Sequence, residues 1–453
     1  MKKLINLKIN GIAVSVPEGS TILDAARATG IEIPTLCFMK DKNEIGACRI
    51  CVVEANEGRG FRQVTACVYP VSEGMEVLTN TEKIQKSRRT TLELILSVHD
   101  KSCLSCQRST NCELQKLCRD YGVDMTSFEG EKPKYEKDFS TPHLIRDNNK
   151  CILCRRCVAA CKEQFVSVIG PNDRGFDTSI GQPFAVSLNN TPCISCGQCT
   201  VVCPTGALVE RDDTDKVWDA LNDPEKHVVV QTAPAVRATI GECFGLPIGT
   251  NCEGKMVAGL RRLGFDKVFD TDFGADLTIV EEASELVERI KKGGVLPMIT
   301  SCSPGWVKFC EFYYPELLPH LSSCKSPQQM TGAVIKTYYA EKMGINPKDI
   351  FVVSVMPCTA KKFEVTRDDE NAAIFPDVDV ALTTREAARM MDRLGINFAS
   401  LPDEEFDNPL GDDTGAAVIF GATGGVMEAA VRTANAWLNG ANEPIELEAV
   451  RGT

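Results

Sequence analysis

Sixteen of the 22 cysteines fall before residue 204, most of them in short regular spacings. Cys151, Cys154, Cys157 and Cys161 form C-x-x-C-x-x-C-x-x-x-C; Cys193, Cys196, Cys199 and Cys203 repeat it, followed by Pro204. Thiols this close poorly suit core-spanning disulfides, and in a long chain such groups mean metal. A tight loop points three thiolates at one iron–sulfur cubane, and the fourth cysteine of each run reaches the other. Cys151, Cys154, Cys157 and Cys203 are thus expected to hold one [4Fe–4S], and Cys193, Cys196, Cys199 and Cys161 a second. Lys162 stands where the second run has proline, a small departure. Zinc also accepts four thiolates, but two interlocked runs favour cubanes.

Two further sets precede these. Cys37, Cys48, Cys51 and Cys67 are spaced C-x10-C-x2-C-x15-C. Four thiolates in a small β-rich module suit a [2Fe–2S] cluster, with zinc as the alternative. His99, Cys103, Cys106 and Cys112 are spaced H-x3-C-x2-C-x5-C. One imidazole and three thiolates can bind a [4Fe–4S], less negative and of higher potential than an all-cysteine site, or a structural zinc. Cys118 is left unassigned.

The elements that must position these ligands follow from the patterning. Residues 1–80 read as two strands joined at Asn10-Gly11, then a helix capped by Ser20 or Thr21. Residues 82–98 read as a helix leading to His99, within a small cluster module spanning 81–124. Residues 125–146 are polar and proline-containing, a linker; 147–215 hold the duplicated runs. From 222 to 453, apolar runs (HVVVQTAP, DLTIV, VLPMIT, IFVVSVMP, DVALTT, AAVIFGA) alternate with helical segments, which argues for α/β layers with largely parallel strands. The net charge of −12 argues against nucleic acid or an anionic membrane as partner. The first residues, MKKLINLKINGIAVSV, are broken by Asn6, Lys8 and Asn10, and read as a strand rather than a signal peptide. No apolar run of about 18 residues is present to span a bilayer, so a cytoplasmic protein is expected.

Two stretches of the C-terminal region carry further chemistry. Residues 297–311, PMITSCSPGWVKFCE, place Cys302 beside Ser303 in an apolar turn. In EEASELVERIKK, Glu282 and Glu285 share one face if the segment is helical. Alone, that stretch reads as a solvated helix face. Buried, two carboxyls beside a hydroxyl could pass a proton in short hops.

These cysteine sets, in this order and followed by TSCSPGW (300–306) and MPCTAKKFE (356–364), resemble the [FeFe]-hydrogenases. The second stretch matches the family's MPCxxKxxE at every fixed position; the first resembles TSCCPxW. TAPAVRATIGE (232–242), FGADLTIVEEA (273–283), SSCKSPQQ (322–329) and FGATGGVMEAA (420–430) resemble further blocks, so the likeness covers nearly the whole chain. The N-terminal part is equally similar to the large iron–sulfur subunit of respiratory complex I. The implied fold is α+β and multidomain. It comprises an N-terminal β-grasp ferredoxin-like module, a His/Cys cluster module, a two-[4Fe–4S] ferredoxin-like module and an α/β hydrogenase domain.

The resemblance implies an H-cluster, a [4Fe–4S] cubane joined through cysteine to a two-iron centre bearing CO and cyanide, where protons and H2 interconvert. Cys358 would ligate the cubane and Lys361 would hydrogen-bond a cyanide. Pro234, Gln328, Met356 and Phe420 would shape the pocket, with Glu364 completing the second motif. Ala235 stands where some relatives carry a serine donor. Glu282, Ser322, Glu285 and Arg289 would form the proton relay, and Cys302 the final donor, its thiol pKa tunable toward neutrality. Ser303 stands at a cubane-ligand position: it could bind weakly as alkoxide, Cys302 could take over the ligand role, or the site could be altered. Cys310 and Cys324 read as free buried cysteines. The family's third motif holds two further cubane ligands, but no cysteine follows Cys358 and the chain ends at Thr453. A fragment is the plainest expectation; a second polypeptide, or an electron relay without H2 chemistry, are the others. GATGG (421–425) is too weak to claim dinucleotide binding. Expected partners are H2 and protons, with a ferredoxin or a flavin- or NAD(P)-binding subunit.

Overall fold

The computed structural model describes residues 3–448 apart from 124–127, 129, 409–410, 412–413, 422–423 and 441–444. The start of the expected linker, the GATGG stretch in part, and Thr453 therefore lie outside the described residues. Two compact units are present: Met1–Cys193 with Gly197–Glu210, and Ile194–Cys196 with Arg211–Thr453.

The first unit opens with β1 (Leu4–Ile9) and β2 (Ile12–Pro17). Ile5, Leu7 and Ile9 alternate inward as a half-buried strand requires. Asn10 and Gly11, at φ 49° and 82°, make the tight turn that puts both central residues in the left-handed region. Helix α1 (Ile22–Ala28) starts at a capping box in which Thr21 and Asp24 satisfy each other's backbone N–H groups. Strands β3 (Val52–Asn56), β4 (Arg62–Thr65) and β5 (Glu76–Leu78) complete a five-stranded sheet of order β2-β1-β5-β3-β4. Helix α2 (Glu82–Val98) runs from a Thr81 cap to His99, as the patterning predicts, and α3 (Glu113–Asp120) follows.

Leu36, Ile50, Leu92, Leu96, Leu114 and Leu117 form one core, with Cys48, Cys112, Cys118 and Ile152 packed against it. Several of these are chain neighbours of expected ligand cysteines. One apolar cluster thus holds loops from three cysteine sets in register, and explains Cys118 as packing. Strand β6 (Leu144–Arg146), helix α4 (Arg156–Glu163), strands β7 (Gly170–Asn172) and β8 (Ser179–Gly181), helix α5 (Gln198–Val202) and β9 (Leu208–Glu210) complete this part. Strand β6 pairs antiparallel with β9, and β7 with β8.

The second unit is built on a four-stranded parallel sheet of order β11-β10-β12-β13. Its strands are β10 (His227–Thr232), β11 (Lys267–Asp270), β12 (Ile350–Met356) and β13 (Val380–Thr383). Both faces are covered, so the strands read as continuous apolar runs. Val228, Val230, Val353 and Val355 point into one core, Val229, Ile350 and Val352 into another. Each such valine or isoleucine stabilises the fold by about 1.5–3 kcal/mol. The helices are α6 (Thr214–Leu221), α7 (Pro234–Thr239), α8 (Glu253–Leu263), α9 (Asp272–Lys292), α10 (Pro304–Tyr313), α11 (Pro327–Val334), α12 (Ala340–Met343), α13 (Ala360–Glu364), α14 (Thr384–Arg393), α15 (Gly415–Val418) and α16 (Gly425–Asn439).

Three runs expected as strands are not. DLTIV lies inside α9, whose buried residues Ala275, Thr278, Ile279, Glu282 and Ala283 recur at helical spacing. VLPMIT bends at Leu296 and Pro297 and contributes only an isolated bridge, Ile299 to Leu321. AAVIFGA begins with α15 and a following turn. The strand Lys267–Asp270 was hidden by its brevity and two charged ends. Gly274 lets α9 approach α11 closely: a Cβ there would stand 2.6 Å from the Pro327 carbonyl oxygen.

Candidate active site

Glu282 lies on the buried stripe of α9, where an ionised carboxyl without partners would be costly. It is only 2 % exposed. Thr300 Oγ1 donates to Glu282 Oε1 at 2.8 Å, and nearby Ser322 also favours its ionised form. Burial nevertheless pushes the Glu282 carboxyl above the ordinary carboxylate value, with Glu285 adding repulsion. One turn on, Glu285 behaves oppositely. Burial raises it, but hydrogen bonds from Arg289 and Ser323 outweigh that and hold it low.

Ser322 Oγ donates to Glu285 Oε2 at 3.1 Å, and the Ser323 backbone N–H and hydroxyl each reach the same oxygen at 3.0 Å. Arg289 Nε donates to Glu285 Oε1 at 3.0 Å, and Nη2 reaches the Leu321 carbonyl at 2.7 Å. At the inner end, the Thr300 hydroxyl is close enough to Cys302 to lower its thiol pKa. The groups thus form a string of neighbours, Cys302, Thr300, Glu282, Ser322, Glu285, Arg289, hydrogen-bonded from Thr300 to Glu282 and from Ser322 through Glu285 to Arg289. Thr300 was missed by sequence reasoning. The available signal was its position two residues before Cys302, which in an extended segment puts both side chains on one side. Burial raises the Cys302 thiol, which Lys361 and Thr300 only partly offset. Burial therefore moves the thiol away from the near-neutral value expected of it.

Lys361, on α13, donates to the Cys302 carbonyl at 3.1 Å, to Ser326 Oγ at 2.9 Å and to Glu364 Oε2 at 2.9 Å. Glu364 is buried and also accepts from Ser326 Oγ at 2.9 Å and Gln328 Nε2 at 2.8 Å. Gln328 Oε1 in turn accepts from Ser354 on β12 at 2.9 Å. Lys361 is thus a fixed cation beside the Cys302 backbone. The neighbouring Lys362, fully covered, pins the same helix to Asp213 and Glu386 at 2.7 and 2.8 Å.

Pro234 and Cys358 follow the carboxyl ends of the paired strands β10 and β12, where open parallel sheets bind ligands. Met356 ends β12 and is buried. Ser303 occupies the N-cap position of α10, yet its hydroxyl makes no capping bond and the residue is exposed. Phe420 is half-buried in the turn Ile419–Gly421 and takes no part in the hydrogen-bonded network. Cys310 is buried and donates to the Tyr314 carbonyl, whereas Cys324 lies 3.8 Å from Glu285 Oε2, beside the relay.

In the first unit, Cys37, Cys48, Cys51 and Cys67 converge. Cys51 and Cys67 sulfurs are 3.2 Å apart, and Cys37 interacts with the thiols of both Cys48 and Cys67. Those interactions pull Cys37 far below the ordinary thiol value and push Cys48 and Cys67 up. Four sulfurs sharing charge in a buried pocket fit a [2Fe–2S] cluster. His99 is buried, with Nδ1 lacking a partner, and burial lowers its pKa to about 4. A neutral buried imidazole is a competent iron ligand. Gly206 makes room for Cys106, whose sulfur would lie 2.5 Å from a Cβ placed there.

The duplicated loops share one backbone form. Leu153 and Arg155 in the first, Ser195 and Gly197 in the second, have φ of 54°, 60°, 58° and 69°. A left-handed non-glycine residue costs about 1 kcal/mol or more, so this conformation marks a constrained ligand loop. Cys151, Cys154, Cys157 and Cys203 line one cavity, a donor set that fits a cubane.

Residues 226–453 match the family described as iron only hydrogenase large subunit, C-terminal domain. Residues 2–82 match a 2Fe-2S iron-sulfur cluster binding domain, 88–127 the NADH-ubiquinone oxidoreductase-G iron-sulfur binding region, and 150–207 a 4Fe-4S dicluster domain. The NADP-reducing hydrogenase subunit HndD of Solidesulfovibrio fructosivorans is 49% identical over 99% of this chain and 79% of its own length. Iron hydrogenase 1 of Clostridium pasteurianum is 45% identical over all of this chain and 78% of its own. The periplasmic [Fe] hydrogenase large subunit of Nitratidesulfovibrio vulgaris is 43% identical over 59% of this chain and 72% of its own. Ferredoxin-like iron–sulfur domains thus precede a hydrogenase domain with a parallel sheet, and the chain belongs to the iron-only hydrogenase large-subunit family.

Proposed function

We propose that the protein interconverts protons, electrons and H2, with electrons delivered by its iron–sulfur clusters. The observation that carries this reading is the string of neighbouring polar groups from Arg289 and Glu285 through Ser322, Glu282 and Thr300 to Cys302. Glu285, held ionised by Arg289, takes a proton at the outer end beside exposed Ser323. Ser322 and Glu282 carry it inward, Glu282 as the neutral carboxyl that burial favours. Thr300 Oγ1 relays it, and Cys302 Sγ holds the last proton.

The H-cluster, when bound, supplies the iron centre at which protons are reduced or H2 is split. Cys358 is assigned to its cubane, Lys361 to its anionic ligands, and Pro234, Gln328, Met356 and Phe420 to its walls. Glu364 serves by fixing Lys361. Ser303 offers a poorer ligand than the thiolate of the family pattern. Two more cubane cysteines of that pattern are not among the 453 residues.

The N-terminal sets are assigned as one [2Fe–2S], a [4Fe–4S] with one histidine ligand and two cysteine-ligated cubanes. The assigned layout is 1–80, 81–124, 147–215 and 222–453. The resemblance to HndD supports an NAD(P)-linked, multi-subunit setting, with a flavin or nicotinamide site on a partner. Among the described residues no helix is long and apolar enough to cross a membrane. H2 evolution from a reduced mediator by the native protein tests this reading; an active preparation supports it, and Glu282→Gln at full activity removes its carrying observation.

A further inference from the structure

Arg146 closes β6 and its side chain is 13% exposed. Nη2 donates to Asp138 Oδ2 at 3.1 Å, whereas Nη1 is buried and has no hydrogen-bond partner. A buried guanidinium N–H without an acceptor is costly and rarely left so. The same arginine lines the cavity of Cys151, Cys154, Cys157 and Cys203. Room for it is made on the neighbouring ribbon, where a Cβ on Gly181 would stand 3.1 Å from Nη1. Burial lowers the Arg146 pKa, while Asp138, Cys157, Cys151 and Cys199 draw it back up, so these thiols feel its charge. Arginine stays charged at any working pH.

We propose that Arg146 sets the reduction potential of the cubane held by Cys151, Cys154, Cys157 and Cys203. It does so by placing a fixed positive charge and a free N–H donor against the cluster's sulfurs. This rests on the assignment of that cavity to a [4Fe–4S] cluster. A cluster held by four thiolates becomes more negative by one charge when it takes an electron. The donor cluster loses that electron, and no atoms are exchanged. A cation in a low-dielectric setting stabilises the reduced form, and hydrogen bonds to sulfur act in the same direction. Asp138 opposes the effect from the other side of the guanidinium.

This cubane is well placed to receive electrons. Asn43, buried, donates through Nδ2 to the carbonyls of Cys37 at 2.7 Å and Cys154 at 3.0 Å, joining two ligand loops. Cys112 Sγ lies 3.5 Å from the Pro204 carbonyl, next to Cys203. A raised potential at this point draws electrons from both neighbouring sites.

The test is an anaerobic redox titration of the protein followed by EPR, with iron and sulfide counted per chain. In Arg146→Met, one [4Fe–4S] signal is expected to shift at least tenfold toward the oxidised form, about 59 mV for a one-electron couple. The cubane that includes Cys199, whose thiol also feels the charge, should move less, and the remaining signals stay in place. Arg146→Lys should fall between, and Asp138→Asn should shift the same signal the opposite way. An unmoved signal in Arg146→Met with full iron content overturns the proposal. Should that variant lose iron, Asp138→Asn decides: an upward shift sustains the role and no shift ends it. If the parent protein shows no [4Fe–4S] signals, the cluster assignment fails instead.

Discussion

Replacing Thr300 by valine tests the proton path at its narrowest point. The side chains have nearly the same volume, so no cavity opens, but the hydroxyl that donates to Glu282 beside Cys302 is lost. A hydrogen bond between neutral groups contributes about 0.5–1.5 kcal/mol. Glu282 keeps its interactions with Ser322 and the Ser301 backbone, so the loss falls at the low end and the fold survives it. The effect on turnover is larger. A positioned proton-transfer group contributes roughly 10²–10⁴-fold, or about 3–5 kcal/mol in the barrier. H2 evolution from a reduced mediator is therefore expected to fall about 100-fold or more in Thr300→Val. Thr300→Ser, which keeps the oxygen, should stay within about threefold of the parent. Iron content and EPR signals should be unchanged in both. Thr300→Val evolving H2 at the parent rate, with all clusters present, would refute the path as drawn.

Three further outcomes follow from the same geometry. The Glu282 carboxyl is raised in the folded protein, so its stabilising contribution is full at pH below the ordinary carboxylate value and is lost as pH rises through the folded value. Glu282→Gln is thus expected to gain stability relative to the parent between pH 5 and pH 8 (roughly the window above an unperturbed Glu); a stability difference flat across that range in chemical unfolding contradicts the assignment. Lys362→Met leaves Glu386 buried without its cation, while Asp213 keeps Lys216, and should cost about 3–5 kcal/mol, read from the denaturant midpoint; a loss below about 1 kcal/mol would place Glu386 in a wetter setting than the structure has it. Ser303→Cys restores a thiolate at the start of α10 and should slow iron loss to a chelator, with an unchanged rate showing that residue 303 is not a ligand.

Much of the first unit was legible because its signals are local. Thr21 with Asp24 caps a helix within four residues, and Thr81 to His99 spans a helix with both ends marked. The duplicated cysteine spacing also announces its backbone, since the left-handed residues recur at the same positions in both runs. The second unit hid more. DLTIV has the composition of a strand and became helix because the buried stripe continues through Glu282 and Ala283, beyond any short window. Glu282 and Glu285 read alone as a wet surface; only tertiary contacts with Thr300 and Ser322 make them a path. Arg146 and Asn43 carry no motif at all. Their roles come from contacts across 8 and 111 positions of chain, which no local pattern reports.

The most direct measurement is infrared spectroscopy joined to an H2 assay on the native protein, purified anaerobically from its own cells. The account predicts CO and cyanide stretching bands together with H2 evolution from a reduced mediator. A brown iron–sulfur protein that passes electrons, shows neither band and evolves no H2 would contradict it.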